Sequence, residues 1–340
     1  MVIARQRVGP VAFYLPAGSV PADHAAIDPD RDWQELLRGE DVWITQTFLR
    51  LRRAGREVTL VSAPPRSGTL VFHAKHRRDL VHDLRVAPDL ILVGIRSDSS
   101  DPLFADFEIL QNGVFADGVR RYHVPHWPQP GLLPRLEERG AGVRRAAFKG
   151  FSANLHPDLA SPRWSELLAA EGIAWENDSV AYTADGRQDA PSGWNDFRRI
   201  DVVVAVRPSR RDLWTSKPAT KLVNAWHAGV PAVLGPERAY RELRRDGLDY
   251  IEVASRDEAL AAVRRLRDDP ALYRAMVDNG RCRAREFSVE AIRRLWEKLL
   301  FNVIPDIAAS APTSWERSLP LRARRLLGRF RKLALRDPAR

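Results

Sequence analysis

Two lysines four residues apart, Lys217 and Lys221, open a segment that runs from Ser216 to Pro236 and reads SKPATKLVNAWHAGVPAVLGP. Pro218 keeps a helix from starting earlier, and Thr220 is placed as the N-cap of a helix ending at Ala228. Gly229 stands where a left-handed C-terminal cap belongs, and Pro231 stops any continuation. A cation at a helix start opposes the helix dipole by about 0.3–1 kcal/mol. That arrangement becomes favourable when an anion lies between the two amines. Free backbone N–H groups at the helix start and two ammonium groups then form a site for a diphosphate. A pair of solvated lysines would satisfy the same residues.

Other residues able to do chemistry stand where apolar runs end. Arg207-Pro208 closes the run Ile200–Val206 (IDVVVAV), with Asp201 as the opening of that strand. In parallel α/β sheets, ligands bind beyond the carboxyl ends of strands, so Arg207 faces either a phosphate or an acidic neighbour. Phe148-Lys149-Gly150 closes the run from Arg145, and Glu237 follows Gly235-Pro236. A solvated loop lysine and a helix-start glutamate are the plainer readings of Lys149 and Glu237. In the first half, Gly18 follows the strand Val11–Leu15, where a glycine serves either a turn or the close approach of a ligand. His123-Val-Pro-His126 ends the last strand of that half, and an imidazole there can hydrogen-bond a polar ligand.

Strands and helices alternate through both halves. Strand-like runs fall at Val11–Leu15, Glu57–Val61, Leu70–His73, Leu90–Ile95 and Tyr122–Val124, and Val42–Arg53 has a helical pattern stopped by Gly55. From Pro128 to Gly142 prolines, glycines and charges interrupt any apolar period, as in a linker. Alternation resumes with runs at Arg145–Phe148, Ile200–Val206 and Ala232–Leu234, and with helices near 165–171 and 221–228. Ser255 and Glu258 have capping-box spacing, Pro270 follows a capping Asp269, and Ser288 opens a long helix. Such alternation implies parallel sheets covered by helices, and 340 residues suit two domains.

The run K-x-x-x-K-L-x-N-A-W-x-A-G-V-P-A-V-L from Lys217 resembles the donor-nucleotide signature of the large retaining glycosyltransferase group with the GT-B fold. The resemblance spans about Arg145 to Ile304; the first half matches only in pattern. It implies an α/β chain with two Rossmann-like domains facing a central cleft and a basic C-terminal helical tail. The expected boundaries are an acceptor domain at 1–130, a linker at 131–142, a nucleotide-sugar domain at 143–304 and a tail segment at 305–340. It implies a nucleoside-diphosphate sugar as co-substrate, with no other cofactor, held by Lys149, Arg207, Lys217, Thr220, Lys221, Asn224 and Glu237. Gly18, His123 and His126 would face the acceptor, and His126, Lys149 and Lys221 are the candidates for the chemical step. The acidic pair of that group would fall at Ser216 and Asn224, neither of which is acidic. The implied activity is transfer of a sugar to a hydroxyl of a glycan or lipid-linked acceptor, in polysaccharide or glycolipid assembly. The alternative is a non-catalytic relative that binds a glycan or a partner at a membrane.

The rest of the sequence narrows the choice. There is no G-x-G-x-x-G after a strand, no P-loop and no G-x-S-x-G, which argues against dehydrogenases, P-loop enzymes and serine hydrolases. Asp28-Pro-Asp30 follows no buried strand, and His73 and His76 lack a metal-site pattern, so no metal is expected. Cys282 is the single cysteine, no apolar run reaches about twenty residues, and no signal peptide is evident, so a cytoplasmic location is expected. The net charge of +10 is concentrated beyond Leu319, where Arg322, Arg324, Arg325, Arg329, Arg331, Lys332, Arg336 and Arg340 face only Asp337. The near-balanced remainder argues against a nucleic-acid partner. Leu326, Leu327, Phe330, Leu333 and Ala334 would share a stripe on a tail helix, which suits the inner face of an anionic membrane, a helix docked on the body, or a basic arm.

Overall fold

The computed structural model describes residues 9–20, 23–24, 26–36, 38–83, 89–181, 193–208, 217–310 and 315–334. The chain divides into two compact units, Met1–Pro125 with Ile292–Arg340, and His126–Ala291.

The first unit is built on strands β1 (Val11–Tyr14), β2 (Val58–Val61), β3 (Gly68–His73), β4 (Leu90–Ile95), β5 (Phe107–Leu110) and β6 (Arg121–His123). They form one parallel sheet in the order β2-β1-β3-β4-β5-β6. Parallel strands covered on both faces must be apolar almost throughout, and all four residues of β1, VAFY, are buried. Helices α1 (Gln46–Arg53) and α2 (Arg77–Asp83) belong to this unit. The expected helix over Val42–Arg53 begins as a π turn at Asp41–Thr45 before becoming α1.

The second unit carries β7 (Arg145–Phe151), β8 (Ala174–Val180), β9 (Val202–Ala205), β10 (Ala232–Leu234) and β11 (Ile251–Glu252), parallel in the order β11-β10-β9-β7-β8. Its helices are α3 (Pro157–Ala160), α4 (Pro162–Ala170), α5 (Thr220–Ala228), α6 (Arg238–Leu243), α7 (Arg256–Asp268) and α8 (Pro270–Ala284). The caps of α7 and α8 are as the sequence suggests. Ser255 accepts from the Glu258 amide, and Asp269 accepts from Ala271 and Leu272 ahead of a first-turn Pro270. Asp201, at the opening of β9, is fully buried and takes hydrogen bonds from Arg135, Arg139 and the amides of Arg144 and Arg145. It ties residues 135–145 to the sheet, a structural task.

The chain then returns to the first unit through α9 (Val289–Lys298), a π turn at Leu299–Val303, α10 (Ile304–Ser310) and the tail helix α11 (Leu321–Ala334). Trp296 packs edge-on to Trp43 at 6.3 Å between ring centroids. The tail helix docks by a face other than its apolar stripe. Leu321 is buried, Arg324 pairs with Asp106 at 2.7 Å, and Gly328 meets the carbonyl of Leu103. Leu326 and Phe330 point outward, 54% and 68% exposed, while Leu327 is partly buried. The side chains of Leu333 and Ala334 lie outside the described residues. Among the described residues no helix is long and apolar enough to cross a membrane.

Candidate functional site

Strands β7, β9 and β10 lie side by side, so the residues just past their carboxyl ends come together at the start of α5. Arg207 follows β9, Glu237 follows β10, and Lys221 lies in the first turn of α5. Arg207 Nε donates to Glu237 Oε2 at 2.8 Å, both side chains being buried, and Arg207 Nη1 donates to Asn154 Oδ1. Lys221 Nζ donates to the carbonyl of Lys149 at 2.7 Å and stands 4.7 Å from the centre of the Phe148 ring. With φ at +149° the Gly150 position favours glycine, and a Cβ there would make the Lys221 amine shift.

The electrostatics are lopsided. Arg207 and Lys217 both act on Lys221, and all three cations act on the Glu237 carboxylate. Burial, reinforced by Arg207 and Lys217, pushes the Lys221 ammonium down to about 7 against the pull of Glu237. Burial also raises the Glu237 carboxyl, although Arg207, Lys221 and Lys217 oppose the rise. A group in which cations outnumber the carboxylate they act on favours an incoming anion, which adds charge-assisted hydrogen bonds.

The helix start adds neutral donors. Thr220 is the first residue of α5 rather than its cap; the cap is Ala219, with no side-chain cap bond. Ala219 has already turned to φ −79°, ψ 25°, which moves the start back by one residue. Val223 N–H makes the first bond back to Ala219, so the amides before it have no acceptor within the helix. Gly229 caps the other end at φ 68°, as expected.

Two further candidates are placed differently from expectation. Lys149 enters this group by its carbonyl, while its buried ammonium turns to Asp178 at 3.2 Å, Glu176 at 3.4 Å and the Gly193 carbonyl at 3.0 Å. Asn224 Oδ1 accepts from the Gln129 amide at 3.0 Å and so fixes a backbone segment. Ser216 lies outside the described residues. Sequence reasoning missed Asn154, which steadies Arg207, and the carboxylates that hold Lys149. The signal for the latter was parity: Lys149 pairs with Asp178 across β7 and β8, and Glu176 lies two residues away on the same face.

On the proposed acceptor side, Gly18 has φ +80° just past β1, with open space where a Cβ would point. His123 ends β6, and burial lowers its imidazole below the ordinary range. His126 Nδ1 lies 2.7 Å from the Trp127 carbonyl. A carbonyl can only accept, which puts a proton on Nδ1; in the neutral imidazole the lone pair is then on Nε2. Asp28 and Asp30 are tied to Arg53 and Arg50, a turn held by ion pairs.

No family model matches the chain, and no curated protein matches it by sequence. Solved structures do resemble it. Sucrose-phosphate synthase from Thermosynechococcus elongatus aligns at 12% identity with a TM-score of 0.56, covering 88% of this chain and 100% of that one. The Anabaena protein HepE, solved in complex with UDP and glucose, aligns at 12% identity with a TM-score of 0.52, covering 86% of this chain and 99% of that one. At these identities the likeness establishes the fold, which is GT-B.

Proposed function

We propose that this chain is a glycosyltransferase that moves a sugar from a nucleoside-diphosphate sugar to a hydroxyl acceptor. The observation that carries the reading is the cationic group of Lys217, Lys221 and Arg207 at the start of α5, beyond the carboxyl ends of β7 and β9. In the glycosyltransferase group that this segment resembles, the helix start holds the donor diphosphate, and HepE was solved with UDP. In the transfer, the bond from the anomeric carbon to the diphosphate oxygen breaks and one to the acceptor oxygen forms. The acceptor hydroxyl gives up its proton, for which His126 Nε2 is the proposed acceptor. Charge grows on the departing diphosphate, so Lys217, Lys221 and the free amides of α5 act more strongly in the transition state than before it. Fixed cations supply this stabilisation without a metal ion.

The outward Leu326 and Phe330, set among Arg322, Arg325 and Arg329, favour an acceptor met at an anionic membrane surface, as in polysaccharide or glycolipid assembly. The test is calorimetry with UDP-glucose and other nucleotide sugars, alongside turnover. A charge-assisted hydrogen bond contributes about 1.5–3 kcal/mol, so Lys221→Met is expected to weaken binding about tenfold to a hundredfold and to lower turnover. Parent-like binding by both Lys221→Met and Lys217→Ala would place the nucleotide elsewhere. Binding with no transfer to any acceptor would favour the non-catalytic relative.

A further inference from the structure

At the amino ends of β5 and β6, beneath α11, the first unit holds a cavity of about 280 Å³. This is the opposite end of the sheet from Gly18 and His123. Arg120, Arg317, Arg324 and Arg331 line it, against only Asp106 and Glu316. Arg317 and Arg324 share the one carboxylate of Asp106, at 3.4 and 2.7 Å, and Arg331 takes Glu316 at 2.6 Å. Arg120 spends its Nε and Nη2 on the carbonyls of Asp106 and Ala105. Arg324 is 5% exposed, and its Nη1 is buried with no hydrogen-bond partner. A buried guanidinium with an unmet donor costs stability unless something answers it. The remaining wall is apolar, from Phe104, Phe107 and Ile307.

We propose that this cavity is a binding site for a phosphate-bearing ligand, held by Arg317, Arg324 and Arg331 with its organic part against the apolar wall. Guanidinium forks match phosphate oxygens in pairs, and an incoming anion supplies the acceptor that Arg324 Nη1 lacks. Carboxylates in the wall leave a net positive site while keeping the arginines in place. Burial lowers the Arg324 guanidinium, with Arg317 adding to the effect against Asp106, in keeping with a site short of negative charge. The same chemistry has two sources, a soluble phosphate ester or the headgroup of an anionic lipid. The outward Leu326 and Phe330 on the same helix make the second geometrically reasonable. The inference stands apart from the sugar-transfer reading, since the two sites share no residue.

The test uses the full chain carrying Lys221→Met, so that phosphate does not report on the α5 site. Glycerol 3-phosphate is titrated by calorimetry, and flotation is measured with vesicles of phosphatidylcholine alone or containing phosphatidic acid. Arg317→Gln and Arg331→Gln are compared with the Lys221→Met parent, each checked by a melting curve. Arg331, the more exposed, is the variant that keeps the fold if Arg317→Gln does not. Binding of glycerol 3-phosphate that falls at least tenfold in Arg331→Gln supports the site with a soluble ligand. Flotation only with phosphatidic acid, lost to the same degree in Arg331→Gln, supports it with a lipid headgroup. No binding of either probe, or binding that Arg331→Gln leaves unchanged, overturns the proposal.

Discussion

Two cationic regions of this molecule are built in opposite ways. At the start of α5 the cations are mostly lysine, and one of them, Lys221, is dry enough to sit near neutrality at about 7. Under α11 the cations are all arginine, kept charged by their chemistry and spread over two carboxylates. A lysine can shed its proton when burial makes the charge costly, so the α5 group can wait without a ligand. An arginine cannot, so the α11 group needs permanent partners. The first arrangement suits a ligand that comes and goes with each turnover; the second suits a ligand, or a docked helix, that stays.

The largest expected effect probes the single carboxylate of the α5 group. Arg207 and Glu237 are 8% and 1% exposed, and removing one partner of a buried pair leaves the other uncompensated. Glu237→Ala should therefore lower stability by about 3–5 kcal/mol, read from denaturant or thermal unfolding. An excess anion is the natural remedy, so UDP-glucose should restore part of that loss. A variant as stable as the parent would mean that the pair is not load-sharing and that the contrast with the arginine cavity is overstated.

A smaller effect tests the docking of α11. A Cβ at Gly328 would meet the Leu103 carbonyl, and backbone does not yield easily. Gly328→Val should cost about 1–3 kcal/mol by overpacking and should loosen the tail, seen as faster proteolysis beyond Ser318. Unchanged proteolysis would show that the helix is held elsewhere.

The pH dependence of donor binding sharpens the comparison further. UDP-glucose does not titrate between the pKa values of its phosphates and its base. Below about pH 7 Lys221 is already charged in the free protein, so affinity should be flat. Above 7 the amine is neutral until the diphosphate arrives and raises its pKa, so binding must take up a proton. Affinity should then fall by up to about tenfold per pH unit, or about 1.4 kcal/mol, until pH passes the raised value in the complex. For folding itself the sign is opposite. A cation whose pKa is lowered in the folded state destabilises at low pH, and stability grows as pH rises from about 7 toward the unfolded value. Lys221→Met should remove both slopes. Calorimetry in buffers of different ionisation enthalpy reads the proton directly, and no uptake at pH 8 would show that Lys221 does not meet the ligand.

Much of the fold was legible because parallel strands buried on both faces are uninterrupted apolar runs, as in VAFY of β1 and VVVA of β9. What escaped was polar or short. β8 reads AWENDSV because it is an edge strand with no residue fully buried, and β11 has two residues. β5, FEIL, was hidden by Glu108, which is half-buried within it and pushed up to about 8 by desolvation and by Asp101. That Arg207, Lys221 and Glu237 would come together was legible because strand ends and helix starts meet in a parallel sheet. The partners of Lys149 and Asn224 were not, since Asp178 sits on the polar strand β8, which has no apolar run to reveal it, and Gln129 is brought in by tertiary packing. On the tail, the pattern left open which face docks: Leu326 and Phe330 face outward, while Arg324, paired with an aspartate in another part of the sequence, faces in.

The smallest expected effect separates Lys149 from Lys221, which the sequence treats as equals. Lys221 Nζ belongs to the α5 group and makes its one direct hydrogen bond there to a backbone carbonyl, leaving donors for a phosphate. Lys149 Nζ is already occupied by Asp178, Glu176 and the Gly193 carbonyl. To reach a diphosphate it would have to abandon two carboxylates, and the gain would be spent on the loss. Lys149→Met should therefore change UDP-glucose affinity by less than about threefold, roughly 0.6 kcal/mol. Its cost should appear in stability instead, since Asp178 is left partly buried without its cation. The carbonyl that Lys221 uses belongs to the backbone and survives the substitution. A tenfold loss of affinity in Lys149→Met, with Lys221→Met bound like the parent, would reverse the roles and move the diphosphate to the β8 side of the sheet.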